Sequence, residues 1–373
     1  MVLHAMFPKL SRCFSYTASR DWLYRQSFSV AGLRSVATNL GDGTTMSCWV
    51  PKINHPSKPT LVLIHGFGAN AMWQYGDHLH HFITHYNVYV PDLIFFGESF
   101  TSRPERTETF QAQCLRKLME AHGVHRMSLV GTSYGGFVGY SMAAQFPEAV
   151  DRLVLCCAGV CFEENDMKDG HFAVSNLDEA FSILLPQTPD KLRELVKLTH
   201  WRPTMDVPSF FLADFIHVMC STHVEEKKEL IEAILKARQL SNLPKITQPT
   251  LIVWGEHDLI FPLELGYRLK RYIGESAEIA VIKNAGHGVI LEEPKEFARH
   301  LKSFLIDTQS TSLSPQLTLR EKIQKIFDIR SIWGALALCC GGIILAELLG
   351  TPLLPLMVIM LCYLCARFLF IYV

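Results

Sequence analysis

Ser133 stands at the centre of Gly131-Thr132-Ser133-Tyr134-Gly135, with the apolar run Met127–Val130 before it and a second apolar stretch from Phe137 after it. Gly-x-Ser-x-Gly between a strand and a helix forms a sharp turn that lifts the serine hydroxyl clear of a sheet, where it can act as a nucleophile. Gly131 and Gly135 suit that turn because side chains would collide where strand and helix cross closely. A hydroxyl is a weak nucleophile alone. It needs a base, an acid to orient that base, and donors for the oxyanion that develops on attack.

Candidates for each role occur at strand ends elsewhere. The run Thr250–Trp254 ends in Gly255-Glu256-His257-Asp258, and Ala280–Ile282 leads to Asn284-Ala285-Gly286-His287-Gly288. His287, held between two glycines, suits a general base that later acts as general acid. Asp258 suits the orienting acid, with Glu256 as its rival two residues earlier and His257 reading as a bystander. The order serine, acid, histidine, each beyond the C-terminal end of a strand, is that of an open α/β sheet with a nucleophile elbow. Leu61–Ile64 ends at His65-Gly66-Phe67-Gly68, where small residues bring main chain close to a substrate carbonyl. The backbone N–H groups of Phe67 and Tyr134 are therefore the candidate oxyanion hole. This chemistry calls for no cofactor and no metal.

Two further groups draw notice. His78, His81 and His85 share one face of a helix expected from about Trp73 to Tyr86, while Leu79, Phe82, Ile83 and Tyr86 make the other face apolar. That arrangement reads as a solvated face rather than a metal site. Asp92, just after strand Val88–Val90, fits a turn cap as well as a place in the site.

The elements that must position these residues are legible from hydropathy. Arg34–Thr38 and Met46–Trp49 flank Gly41-Asp42-Gly43, which is hairpin chemistry. From Leu61 to Cys156 apolar strands alternate with helical stretches, notably Thr109–His122 and Phe137–Phe146, so the fold class is α/β with a mostly parallel, doubly wound sheet. Residues 25–158 form its first part. Alternation stops over 159–245, a Pro-interrupted helical segment that reads as an inserted cap; Thr222 and Glu225 offer a capping box for one of its helices. The sheet pattern resumes over 246–306 and closes with a helix from about Pro294 to Leu305.

The ends differ in character. Residues 1–24 form a basic arm with Lys9, Arg12 and Arg20, either a transit peptide or a short membrane-touching segment. Residues 307–331 are a polar linker and then a basic stretch carrying Arg320, Lys322, Lys325 and Arg330. Residues 332–373 hold only Glu347 and Arg367 as charges, and Thr351-Pro352-Leu353-Leu354-Pro355 interrupts the run near its middle. As helix it would cover about 60 Å, twice a hydrocarbon core, which suits a membrane hairpin or a single transmembrane anchor after an interfacial helix. The flanking Lys and Arg place the catalytic domain on the cytosolic side, with endoplasmic reticulum, lipid droplet or organelle envelope as candidate membranes. Cys339, Cys340, Cys362 and Cys365 in this segment are acylation candidates or ordinary lipid-facing residues. A net charge of −1 without charged blocks argues against a nucleic-acid partner, and 11 scattered cysteines argue against a disulfide framework.

Together, His65-Gly66-Phe67-Gly68, Gly131-Thr132-Ser133-Tyr134-Gly135-Gly136, Trp254-Gly255-Glu256-His257-Asp258 and Gly286-His287-Gly288 resemble the α/β-hydrolase superfamily. Within it the chain is similar to the capped serine-hydrolase branch of monoacylglycerol-lipase-like and carbon–carbon-bond hydrolases. Pro91-Asp92-Leu93-Ile94-Phe95-Phe96-Gly97-Glu98-Ser99 resembles a plant-type subgroup of that branch. The resemblance covers about residues 25–305 and implies a lipase-like serine esterase with a lipid or other apolar ester as substrate. Haloalkane dehalogenases and epoxide hydrolases of the branch carry Asp at the nucleophile position, so Ser133 disfavours their chemistry. The resemblance also admits a small-molecule receptor with slow turnover, or a carbon–carbon-bond hydrolase.

Overall fold

Leu61 and Leu63 join one hydrophobic core while Val62 and Ile64, between them, join another. The same alternation separates Val88 and Val90 from Tyr89, and Leu251 and Val253 from Ile252 and Trp254. A strand with a core on each face must be apolar at every position, which is why these runs lack the alternation of a half-exposed strand. The structure is a computed structural model and describes residues 15–168, 174, 176–203, 207–236 and 238–306.

The strands are β1 (Leu33–Gly41), β2 (Thr44–Pro51), β3 (Thr60–Ile64), β4 (Asn87–Pro91), β5 (Phe100–Thr101), β6 (Met127–Thr132), β7 (Val150–Cys156), β8 (Thr250–Gly255) and β9 (Ala277–Ile282). Their spatial order is β1-β2-β4-β3-β6-β7-β8-β9, with β5 paired to β2. β1, β2 and β4 pair antiparallel, and from β4 onward the sheet is parallel. Helices Glu108–Ala121 and Tyr134–Gln145 bury Leu115, Leu118, Phe137 and Val138 on one face. Helices Tyr16–Val30 and Pro294–Leu305 bury Phe28, Phe297 and Leu301 on the other. Between β7 and β8 the chain leaves the sheet for the helices Glu164–Lys168, Leu177–Leu184, Pro189–Thr199, Ser209–Phe215 and Val224–Leu235.

The structure departs from the sequence reading in three places. The helix expected over Trp73–Tyr86 is a short α-helix, Ala71–Tyr75, followed by a 3-10 turn, Gly76–His81. The tighter turn changes which residues share a face. His78 is consequently buried, donating from Nε2 to the Ile290 carbonyl at 3.0 Å, while His80 and His85 stay exposed. The proposed capping box does not form either. His223, not Thr222, precedes the first turn of Val224–Leu235, in left-handed backbone at φ 52°. This shifts the frame by one residue, and His223 Nδ1 lies 3.7 Å from Glu226 Oε1. Finally, helix Tyr16–Val30 runs through the boundary expected at residue 24. Its Thr17 N–H donates to Asp214 of the cap at 2.8 Å and its Asp21 accepts from Trp73 Nε1 at 3.2 Å. Residues 1–14 and 307–373, with the linker, basic stretch and apolar segment, lie outside the described residues. Among the described residues no helix is long and apolar enough to cross a membrane.

Burial pushes the His78 imidazole down to about 4, so the native state resists the proton that an unfolded histidine takes up near 6.5. Its contribution to stability is intact above pH 6.5 and is lost as pH falls from there toward 4. His78→Gln keeps an N–H for the Ile290 carbonyl but cannot titrate. Stability measured by urea unfolding at pH 7 and pH 5 should fall less for this variant than for the parent, by on the order of 1–2 kcal/mol. An equal fall in both proteins contradicts the assignment.

Candidate active site

The C-terminal ends of β3, β6, β8 and β9 meet at one edge of the sheet, and each feeds one candidate residue into the same space. Ser133 follows Thr132, the last residue of β6, and adopts φ 52° and ψ −120°. For a residue with a Cβ this backbone is strained, on the order of 1–3 kcal/mol. It is held by Ser133 N–H on Cys156 O and by Gly136 N–H on Ser133 O, both at 2.8 Å. A side chain on Gly135 would overlap the Ile64 carbonyl, so the helix can start this close to β3 only with glycine there. Tyr75 braces the same point from below. Its hydroxyl lies 2.9 Å from Ile64 O and 3.0 Å from Thr132 Oγ1.

His287 and Asp258 arrive on loops that are tied to each other. His257 N–H donates to Ala285 O at 2.9 Å and Glu256 N–H to Ile282 O at 3.0 Å. Asp258 Oδ1 accepts from the N–H groups of Ile260 (2.8 Å) and Phe261 (2.9 Å), which fixes the carboxylate. Its other oxygen, Oδ2, lies 2.8 Å from His287 Nδ1, and His287 Nε2 lies 2.9 Å from Ser133 Oγ. An ionised carboxylate only accepts, so Nδ1 carries the proton and Nε2 offers its lone pair to the serine hydroxyl. Asp258's side chain is fully buried and His287's is 11 % exposed. Glu256 points elsewhere: its Oε2 lies 3.3 Å from Asn284 N and 3.5 Å from His257 Nε2. His257 stacks on Trp201 with ring centroids 3.5 Å apart.

The loop after β3 passes directly over the nucleophile. A Cβ on Gly66 would stand 3.0 Å from Ser133 Cβ, so the main chain entering Phe67 runs alongside the serine. Buried His65 shapes this loop. Its Nε2 accepts from Leu93 N–H at 3.0 Å and its Nδ1–H donates to Gly66 O at 2.7 Å. Burial holds the ring neutral by pushing its pKa down to about 4. The Phe67 and Tyr134 rings pack edge to face at 4.9 Å. Asp92 acts as a cap: Oδ1 accepts from Ala71 N–H at 2.9 Å, and burial pushes its carboxyl up to about 6.

Several contributors were not visible in the sequence. Glu292 accepts from Gly286 N–H at 2.6 Å with one oxygen and from Trp201 N–H at 2.7 Å with the other, which fastens the His287 loop to the cap. Thr199 O accepts from Gly288 N–H at 2.6 Å. His200 lies beside them with its Nε2 buried and unpartnered, and burial pushes its pKa down. The nearest sequence signal was a carboxylate five residues after His287, whose cross-chain partners no local pattern reveals. Cys157, Asp258 and His287 place their ligand atoms within 4.8 Å of one another, the one such three-ligand cluster among the described residues. Asp258 already accepts three N–H groups there, so this donor set is committed to the hydrogen-bond chain.

A hydroxyl, an imidazole poised to take its proton and an immobilised carboxylate in one hydrogen-bonded line are the groups that nucleophilic acyl transfer uses. Residues 59–294 match the model of the alpha/beta hydrolase fold, and the chain belongs to that family. It is a hydrolase of the serine-hydrolase class. The monoacylglycerol lipase ABHD6 of Bos taurus is 27% identical over 276 residues, spanning 70% of this chain and 79% of that protein. The 2-hydroxy-6-oxo-2,4-heptadienoate hydrolase of Pseudomonas putida is 30% identical over 261 residues, spanning 66% and 88%. Among solved structures, a membrane phospholipase A superimposes with a TM-score of 0.65 at 23% identity, covering 83% of this chain and 96% of its own, a likeness of fold.

Proposed function

We propose that this protein is a serine esterase that cleaves a lipid or other apolar carboxylic ester. The observation that carries the reading is the unbroken hydrogen-bond chain from Ser133 Oγ through His287 to Asp258. Ser133 Oγ attacks the ester carbonyl while His287 Nε2 takes its proton, and Asp258 stabilises the imidazolium. The N–H groups of Phe67 and Tyr134 receive the oxyanion. Collapse expels the alcohol, which takes the proton from His287, and water repeats the sequence to free the acid. An apolar substrate is supported by the aromatic and aliphatic side chains beside the oxyanion loop, where Phe67, Phe96, Leu184, Leu185 and Met219, with Lys227, surround a space of about 10 Å³, room for one water. A carbon–carbon-bond hydrolase is the second reading, favoured by the Pseudomonas putida relative.

Membrane attachment through 332–373, with the catalytic domain on the cytosolic side of the endoplasmic reticulum, belongs to the same proposal and rests on the apolar composition of that segment. A chain ending at residue 306 should leave the membrane fraction on carbonate extraction while keeping turnover of a soluble ester. Retention of the truncated chain in the pellet contradicts the anchor.

Assayed on monoacylglycerol and on 4-nitrophenyl esters, Ser133→Ala should lose turnover by about 10⁴-fold or more, and Asp258→Asn by about 10³–10⁴-fold through loss of the His287 tautomer. Glu256→Gln should leave turnover essentially unchanged. A large loss in Glu256→Gln with activity preserved in Asp258→Asn reverses the assignment of the acid.

A further inference from the structure

The loop that carries His287 is gripped on both sides of the histidine by one stretch of the cap. Before it, Gly286 N–H donates to Glu292 Oε2 at 2.6 Å, and the other oxygen of that carboxylate accepts from Trp201 N–H at 2.7 Å. After it, Gly288 N–H donates to Thr199 O at 2.6 Å. The short turn Val289–Glu292 makes the first grip possible. Its Glu292 N–H donates to Gly288 O at 3.0 Å, which folds the chain back so that the carboxylate reaches the residue preceding the histidine. The two glycines let the segments meet without a gap. A Cβ on Gly286 would stand 2.8 Å from Thr199 O and 3.1 Å from Trp201 N, and one on Gly288 would stand 3.2 Å from Thr199 O.

The cap side of this grip is itself fixed. Thr199 ends the helix Pro189–Thr199 and its hydroxyl donates to Leu195 O at 2.9 Å, while the Trp201 ring lies flat on His257, next to Asp258. Both ring nitrogens of His287 are taken up by Asp258 and Ser133, so the ring can hold that line only if its main chain is placed from outside. A carboxylate between two N–H groups makes short, charge-assisted contacts, and removing it leaves both donors without a partner. A base displaced by about 1 Å from its hydroxyl loses rate by about 10²-fold.

We propose that Glu292 is a positioning residue that clamps the His287 loop against the cap segment Thr199–Trp201, so that His287 is aligned on Ser133 only while that segment is seated. The inference deepens the esterase reading, and its ester-turnover arm rests on that reading. A second arm does not: the rate at which a small fluorophosphonate modifies Ser133, followed by mass spectrometry of the full-length protein, needs the aligned base but no ester. Glu292→Ala should lower both kcat on a 4-nitrophenyl ester and the phosphonylation rate by about 10²-fold, with KM within about threefold of the parent. Glu292→Gln, which keeps one acceptor, should fall between the two. In a His287→Ala background, Glu292→Ala should produce no further loss of phosphonylation, because it acts through the histidine; a merely structural role would lower the rate there as well. The cap side is tested by a pair of variants. His200 is extended, at φ −122° and ψ 140°, and so accepts a following proline. Trp201→Pro loses the ring and the N–H, Trp201→Ala only the ring, and Trp201→Pro should be the slower of the two. Should Glu292→Ala fail to fold, Glu292→Gln and the Trp201 pair decide the matter. Equal phosphonylation of parent and Glu292 variants, an equal loss with and without His287, or equal rates in the Trp201 pair overturns the proposal. Phosphonylation that follows the predicted order without any ester turnover overturns the esterase reading alone.

Discussion

The close approach of backbones at the C-terminal edge of the sheet is the constraint on which the site depends. Ser133 reaches its position because β6 ends beside β3 and the next helix starts at once, in a space that admits no side chain at Gly135. A side chain on Gly255 would likewise overlap the Gly286 carbonyl, so the acid loop and the histidine loop can lie against each other only with glycine at the end of β8. Two contacts of bare main chain thus set the spacing between nucleophile, base and acid. The positive φ of Ser133 costs energy locally, and the flanking hydrogen bonds and the buried Tyr75 hold it in place.

Around this edge the structure adds layers of restraint. Neutral His65 bends the loop that carries Phe67, the Asp258 carboxylate is fixed by two main-chain N–H groups before it meets His287, and Glu292 ties the histidine loop to the cap. The side chains that would exchange protons in catalysis therefore sit in narrow positions, which electrostatic stabilisation of a transition state requires. Above this rigid floor, Leu184, Met219 and Lys227 of the cap come beside Phe67, leaving a space of about 10 Å³ between them.

Much of this was legible in the sequence because it is local. The apolar strands, the turn at Ser133 and the glycine-flanked His287 announce themselves through spacing, and the geometry unites Ser133, His287 and Asp258 as that spacing suggested. The choice between Asp258 and Glu256 was open in the sequence, since both lie on one loop; only the direction of each side chain separates them. What stayed hidden is non-local. The inward turn of His78 follows from a 3-10 segment that hydropathy reads as α-helix, and the left-handed His223 displaces a capping box that pattern alone supports. Glu292 owes its role to partners on distant elements, and helix Tyr16–Val30 reads as a free basic arm because Asp214 and Trp73 lie far along the chain.

The central claim is that Ser133 becomes acylated during turnover. Rapid quenching of the enzyme with a short-chain 4-nitrophenyl ester, followed by mass spectrometry of its peptides, tests this directly. The account predicts an acyl group on the peptide containing Ser133, and none in Ser133→Ala. An acyl group on Cys157 or elsewhere, or undiminished hydrolysis with Ser133 unmodified, would contradict it.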